Sequence, residues 1–377
     1  MAMMIAADLI SAIEKYAPLA LKEEHDPTGF QIGRRDKVVK RVLVTLDVRP
    51  EVVQEAIDQN IDFIFAHHPV MFRPARNLDL AIPQNQMYAD LIRHDITVYA
   101  AHTNLDKTQG GMNDWLAKAL QLTDVEPFNV TSYVPMAKLV TFVPVSHEKT
   151  VREALNRAGA GRIGDYTDCS FSSTGTGRFT PDALATPFIG QKNQAEAVTE
   201  VKLEVTFPQS QAPQMIAAML AAHPYQEPVY DLISLANQQQ PIGIGRIGQA
   251  ATPMTVRDYA QFVCETFDVA GLRLISNTPD KVVKRVAIVG GDGGKFYPAA
   301  IQAHADVYIT GDVYYHTGHD MLADGLSVID PGHHIESIVK TEMSRIFEQW
   351  AQENDWQVEI IKSWQKTDPF TFIFNAK

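Results

Sequence analysis

Arg41-Val42-Leu43-Val44-Thr45-Leu46-Asp47, then Pro50 to Gln59, then Asp62-Phe63-Ile64-Phe65-Ala66 is the stretch on which the fold turns. The first run is β-branched and apolar, which reads as a strand. Pro50 opens a helix from a first-turn position, where its missing N–H costs no hydrogen bond. Asp62 to Ala66 reads as the next strand, Asn85 to His94 as a helix and Thr97 to Ala101 as a third strand. Strands alternating with helices imply parallel pairing through right-handed crossovers.

The pattern returns in Arg285-Val-Ala-Ile-Val-Gly-Gly, a helix around Tyr297 to His304, and Asp306-Val-Tyr-Ile-Thr-Gly-Asp312. Laid on Arg41 to His68 without gaps, it pairs Arg41 with Arg285, Val42 with Val286, Ala56 with Ala300, Ile57 with Ile301 and Asp62 with Asp306. His68 then falls opposite Asp312. The expected fold class is α/β: a duplicated strand-helix-strand core with a mainly parallel sheet. Two equivalent strand ends would lie on one face, where open α/β sheets bind ligands.

A middle block, about Glu126 to Gln240, has another rhythm. Strand Lys138–Pro144, helix His147–Ala158, a Gly-rich stretch Gly159–Gly177, the alternating strand Lys202–Phe207, helix Gln211–Ala222 and strand Val229–Ile233 follow in order. This reads as a small antiparallel α+β domain of βαββαβ order. Gln238-Gln239-Gln240-Pro241 reads as the linker back. Residues 1–126 and 241–377 are thus expected to form a discontinuous core around an insert at 127–240.

A chain of 377 residues exceeds one ordinary core, which agrees with two domains. No apolar run reaches about 18 residues, so no membrane partner is expected. The start lacks a basic region, and Leu9, Ile10, Ile13 and Tyr16 recur at helical spacing, as in an amphipathic helix rather than a signal peptide. Cys169 and Cys264 are the only cysteines, so a disulfide framework is not expected and a cytoplasmic location is. A net charge of -12 argues against a nucleic-acid surface working by phosphate attraction, though not against a small anionic substrate.

Ligand-type residues gather where apolar runs end: His67-His68-Pro69, His102-Thr103-Asn104-Leu105-Asp106, Gly311-Asp312 with His316, and Gly332-His333-His334-Ile335-Glu336. Singly, His67 and His68 are loop histidines, Asp106 caps a helix and His333 sits at a helix start. Pro69 ends the strand, freeing both imidazoles to turn to one cavity. His333 and Glu336 share a face of an expected long helix reaching about Asn354. Together His67, His68, Asp106, His333 and Glu336 offer three imidazoles and two carboxylates. That set suits zinc first, with manganese, iron or cobalt as alternatives. Five ligands exceed what one catalytic zinc takes. Two divalent metal ions per chain, about 3.5–4 Å apart and sharing a carboxylate, would use the set better and lower the pKa of a bound water.

These motifs, with Gly29 and Gly33 and the run Gly243-Ile244-Gly245-Arg246-Ile247-Gly248, resemble the "GTP cyclohydrolase 1 type 2 homolog" family over nearly the whole chain. The middle block, with Cys169-Ser170-Phe171 and Gly175-Thr176-Gly177, resembles the ferredoxin-like insert of its longer bacterial members. The resemblance implies metal ligands at His67, His68, Asp106, His333 and Glu336, and a toroidal homohexamer. Many short members place the glutamate four residues after the histidine, whereas here the spacing is three.

The resemblance further implies a metal-dependent hydrolase that opens the imidazole ring of GTP, a nucleotide substrate, with loss of formate. In that reading His316 or His102 shuttles protons, and Arg73, Arg76 or Lys107 meets phosphate. Two alternatives stand beside it: a metal-dependent phosphoesterase acting on nucleotides, and a non-enzymatic metal-responsive binding or scaffold protein with a ligand pocket near Gly159–Gly177.

Overall fold

A computed structural model describes residues 3–237 and 240–373. The chain forms two compact units: Ser132–Pro241 makes one, and the segments before and after it make the other. Of the expected linker, Gln238 and Gln239 lie outside the described residues, and Pro241 already opens a strand.

The discontinuous unit holds two sheets. The first runs, edge to edge, Gly29–Ile32, Thr97–Ala100, Phe63–Ala66, Arg41–Thr45 and Glu359–Lys362. All its pairs are parallel except that of Gly29–Ile32 with Thr97–Ala100. Val42, Leu43, Val44, Phe63, Ile64 and Phe65 are all fully buried, because helices cover both faces of a parallel sheet. Leu43 and Ile64 pack beneath helices Pro50–Asp58 and Pro83–Arg93, which supply the crossovers. Val42, Val44, Phe63 and Phe65 face the other way.

The second sheet runs Arg273–Ile275, Ser327–Asp330, Val307–Gly311, Val282–Asp292, Pro241–Thr255 and Thr123–Tyr133. Its three central strands are parallel, while Arg273–Ile275 and Pro241–Thr255 pair antiparallel. Val286, Ile288, Val307 and Ile309 share one core with the inner face of the first sheet, filled by helices Ala6–Tyr16, Met112–Ala119, Val256–Thr266 and Val339–Glu353.

One mainly parallel sheet was expected, and two mixed sheets are found. The physical reason is that each set of crossovers builds only three adjacent parallel strands, and strands reached by other connections pair in either sense: Glu359–Lys362 extends the first set in parallel, while Gly29–Ile32, Arg273–Ile275 and Pro241–Thr255 pair antiparallel. The strand-helix-strand segments are nonetheless built alike. Asp62 Oδ2 accepts from the N–H of Lys40 and Arg41 at 2.9 and 3.1 Å; Asp306 Oδ2 accepts from Lys284 and Arg285 at 3.0 and 2.9 Å. Asn60 and His304, two residues before each aspartate, both adopt left-handed backbone with φ of 51° and 57°.

The inserted unit strings strand Met136–Pro144, helix Glu148–Arg157, strands Ser170–Phe179 and Glu196–Pro208, helix Ala212–Ala222 and strand Tyr230–Leu235. Its sheet is antiparallel throughout, with Ser170–Phe179 at one edge and Tyr230–Leu235 at the other. Leu139, Val143, Leu203 and Phe207 pack on one face against Val151, Leu155, Met215 and Met219 of the helices. The Gly-rich stretch is only half loop: Gly175 and Gly177 belong to an edge strand opposite Glu200 and Val198. Glycine is depleted in strands, which hid it. Among the described residues no helix is long and apolar enough to cross a membrane.

Candidate metal centre

Phe63–Ala66 ends one residue before His67, yet the His67 and His68 N–H groups still donate to Thr45 O and Leu46 O, at 3.3 and 3.0 Å. The next residue, Pro69, has no N–H with which to continue the ladder. Both rings therefore stand at the same frayed end, with centroids 5.0 Å apart. His102 follows the adjacent strand, and its ring lies 5.3 Å from that of His67 and 5.5 Å from that of His68. Asp106 lies in the short helix Thr103–Lys107, with 7% of its surface exposed.

The remaining ligand-type groups come from the second sheet. Residues His333–Ile338 form a 3-10 turn, and the α-helix begins only at Val339. This corrects the expected continuous helix. At three residues per turn, positions i and i+3 eclipse, so His333 and Glu336 stand one above the other. The three-residue spacing is thus the natural one here. Gly332 enters the turn with φ 87°, backbone that side chains rarely adopt. Gly290 and Gly291 line the other side, where a Cβ would fall 2.7 and 3.0 Å from Glu336 Oε1.

Each imidazole is anchored through Nδ1. His67 Nδ1 donates to Ala101 O at 2.7 Å, while His68, His102 and His333 hold Asp47, Asp26 and Asp312 at 2.7, 3.0 and 2.7 Å. Such partners fix tautomer and ring orientation in metal-binding histidines. The Nε2 atoms of His67, His68 and His333 converge on Glu336. His68 and His333 lie 3.1 and 3.2 Å from Oε2, and His67 lies 3.7 Å from Oε1. The two Nε2 atoms of His68 and His333 are 3.3 Å apart.

This crowding shifts the ionisations. Burial opposes charge on His68, but hydrogen bonds to Asp47 and Glu336 outweigh it and raise its pKa to about 10. Burial likewise opposes charge on the half-buried His333, but Glu336 and Asp312 raise it to about 9. Burial and the Glu336 charge raise Asp106 to about 8. Glu336 is itself held well below the usual carboxylate range, because His67, His333 and His68 overcome its burial. Without a metal the site stores protons on groups that ligation would need bare.

The donors fit a cation. His67 Nε2 and Asp106 Oδ1 are buried without a hydrogen-bond partner, and they face each other at 3.5 Å. Two orphaned lone-pair atoms in contact are unfavourable unless something positive lies between them. Three overlapping groups have their ligand atoms within 4.8 Å of one another: His67 with His68 and His102, His68 with His333 and Glu336, and His67 with Asp106 and Glu336. The last two share only Glu336. The arrangement could hold metal ions through imidazole and carboxylate.

All five expected ligands therefore meet, and His102 lies among them. His316 is exposed against the Tyr315 ring and belongs to none of the three groups. Lys107, a candidate for phosphate, is bound to Glu23 at 2.6 Å with its side chain 9% exposed; that pairing takes it out of consideration. Arg73 lines a cavity of about 290 Å³ with Arg49, Asp47, His68 and Tyr88, whereas Arg76 is exposed and not part of that lining. Sequence reasoning missed Asp26, Asp47 and Arg49. Asp47 and Arg49 follow a strand end just as the ligands do, and that position was the available signal.

The model of the Duf34/NIF3 (NGG1p interacting factor 3) family matches residues 4–369. Proteins called "GTP cyclohydrolase 1 type 2 homolog" from Halalkalibacterium halodurans and Bacillus subtilis are each 43% identical over 365 residues, covering 97% of this chain and 98% of theirs. A solved Bacillus cereus protein related to NIF3 superposes with a TM-score of 0.93 at 40% identity, covering 99% of this chain and all of its own. A Staphylococcus aureus structure does so with a TM-score of 0.76 at 29% identity, with the same coverage.

Proposed function

The chain belongs to the Duf34/NIF3 family, and we propose that it is a dinuclear divalent-metal hydrolase whose substrate is a nucleotide, with GTP ring opening and formate release as its candidate reaction. The observation that carries the metal pair is the sharing of Glu336. His68, His333 and Glu336 would hold one ion and His67, Asp106 and Glu336 the other, both groups drawing on the Glu336 carboxylate. His102 adds a fourth imidazole and, held by Asp26, is the nearer candidate for moving a proton. His316 is retained only as an outer proton group on the exposed side.

Two such ions supply Lewis acidity and an activated water near neutral pH. The chain's own residues do the rest. Asp47, Asp312 and Ala101 O aim the imidazoles. Arg49 and Arg73, without a carboxylate partner among the described residues, border the cavity beside His68 and suit a phosphate. Tyr88 and Phe72 give that cavity apolar walls.

The reading extends to assembly and organisation. The strand-helix-strand-strand-helix-strand order supports a ferredoxin-like insert spanning about residues 127–240. A cytoplasmic homohexamer is part of the proposal; sedimentation should give six times the 41.9 kDa of one chain. For the reaction, metal-loaded protein is incubated with GTP and the products are resolved. Formate supports ring opening. Inorganic phosphate or a nucleoside monophosphate indicates a phosphoesterase. No product with zinc, manganese, iron or cobalt leaves a metal-responsive binding protein.

A further inference from the structure

We propose that the inserted unit holds a binding site for a small organic cation, an alkylammonium or quaternary ammonium group, between three aromatic rings and the Glu200 carboxylate. The site is a cavity of about 1010 Å³ bordered by Phe142, Phe179, Phe188, Glu200, Lys202 and Tyr225. Phe142, Glu200 and Lys202 alternate with Val143, Val201 and Leu203, which face the helices. The cavity therefore opens on the helix-free face of the sheet. Its size is at the upper end for small-molecule sites, about 300–1,000 Å³.

Glu200 is the unexplained group. It is only 7% exposed, and its one hydrogen bond is accepted from the Tyr225 hydroxyl at 2.7 Å. Among the described residues no lysine, arginine or histidine forms an ion pair with it. Lys202, its neighbour on the same face, is held by Glu204 at 2.5 Å. His223 is close but neutral: Tyr225 N–H donates to its Nδ1 at 3.1 Å, its Nε2 donates to Phe142 O at 3.0 Å, and burial lowers its pKa. A buried carboxylate without a cation is costly, and a cationic guest removes that cost.

The sheet leaves room for one. Gly175 lies directly opposite Glu200, and a Cβ there would meet nothing within 4 Å. At Gly177 a Cβ would fall 2.1 Å from Glu200 Oε2, so the carboxylate rests in space that any side chain would take.

The rings form inclined walls. Phe179 and Phe188 have centroids 6.1 and 6.4 Å from that of Tyr225, with interplanar angles of 60° and 52°. A cation within about 6 Å of a ring face is attracted by the ring quadrupole, and these three rings border one cavity. The loop carrying Phe188 is fastened down, with Thr186 N–H donating to Gln226 Oε1 at 2.8 Å and Asn193 N–H to Pro181 O at 2.6 Å. Asp182 accepts from Leu184 and Ala185 N–H and so caps its own turn. Glu200, Glu227 and Asp182 border the cavity against one cation without an ion pair among the described residues, Arg178, because Lys202 is already paired; the carboxylate excess disfavours an anionic ligand.

The test is titration calorimetry on the full chain with choline, tetramethylammonium and 3,3-dimethylbutan-1-ol, the neutral carbon isostere of choline. Choline should bind about tenfold or more tightly than the isostere, the cation–π share of a desolvated site. Glu200→Gln should weaken choline about tenfold and leave the isostere unchanged. Phe188→Leu removes a ring already 51% exposed, so it should weaken choline without moving thermal unfolding. Equal affinity for choline and the isostere, unchanged choline binding in Glu200→Gln, or no binding of either ammonium probe overturns the proposal. So does tighter binding of guanosine monophosphate, which would make the rings a base-stacking platform.

Discussion

At the residue scale the centre is a set of imidazoles aimed by oxygens. Asp47 touches His68 Nδ1 and takes no place among the converging donor atoms. Asp47→Asn keeps shape but loses the charge that orients the ring. Metal affinity in chelator competition should fall about 10–100-fold with thermal unfolding little changed. An unaltered affinity would mean that His68 is positioned by packing alone. Protonation gives a second expectation. His68 at about 10, His333 at about 9 and Asp106 at about 8 all hold protons at pH 7 in the metal-free protein. Ligation needs them bare, so metal binding expels protons and tightens as pH rises from 6 to 8. Calorimetry in two buffers of different ionisation enthalpy reads the proton count directly. A pH-independent affinity without proton release would contradict the ligand set. Most of this set was legible in the sequence because ligand-type residues stood at the ends of apolar runs. The aspartates behind the rings were not. Asp26 and Asp47 lie 76 and 21 residues from the histidines they hold, and only the folded chain brings them there.

At the element scale the site depends on short irregular pieces placed after regular ones. Strand, helix and crossover could be read from residue type and periodicity. The 3-10 turn His333–Ile338 could not, since its apolar residues Ile335 and Ile338 also fit an α-helical stripe continuing into Val339–Glu353. What separates the two is backbone geometry, with i and i+3 eclipsed in the tighter turn. The opposing strand makes room for this turn with Gly290, which lies in Val282–Asp292 and has ordinary backbone. Gly290→Ala should fold, because a strand accepts alanine. Its Cβ would nevertheless stand 2.7 Å from Glu336 Oε1 and 3.1 Å from Leu116 Cδ1. Elemental analysis should find fewer metal ions per chain in the variant, with the far-ultraviolet spectrum unchanged. Full metal content would show that Glu336 can shift without losing its ions, and would weaken its role as the shared ligand.

At the scale of the whole molecule, the repeated strand-helix-strand pattern was legible because the same aspartate closes both copies. That the copies build separate sheets was not, because adjacency between distant strands is decided by the shared core and leaves no local mark. This division sets what the metal does for stability. His67, His68, His102 and Asp106 follow strands of one sheet, while His333 and Glu336 follow the other, and His68 meets Glu336 across 268 residues of sequence. Ions held there cross-link both sheets in the folded state and have no preformed site in the unfolded one. Binding to the native state alone adds about 2.7 kcal/mol at a free metal concentration one hundred times Kd. Stripping the metal should therefore lower the unfolding temperature by several degrees, and zinc should restore it in a concentration-dependent way. The Glu336→Gln variant serves as the control. Its carboxamide cannot bridge two cations, so added metal should stabilise it far less than the parent chain. If chelation leaves the unfolding temperature of a verified metal-loaded sample unmoved, the ions sit on one segment instead of joining two, and the shared-glutamate geometry is wrong.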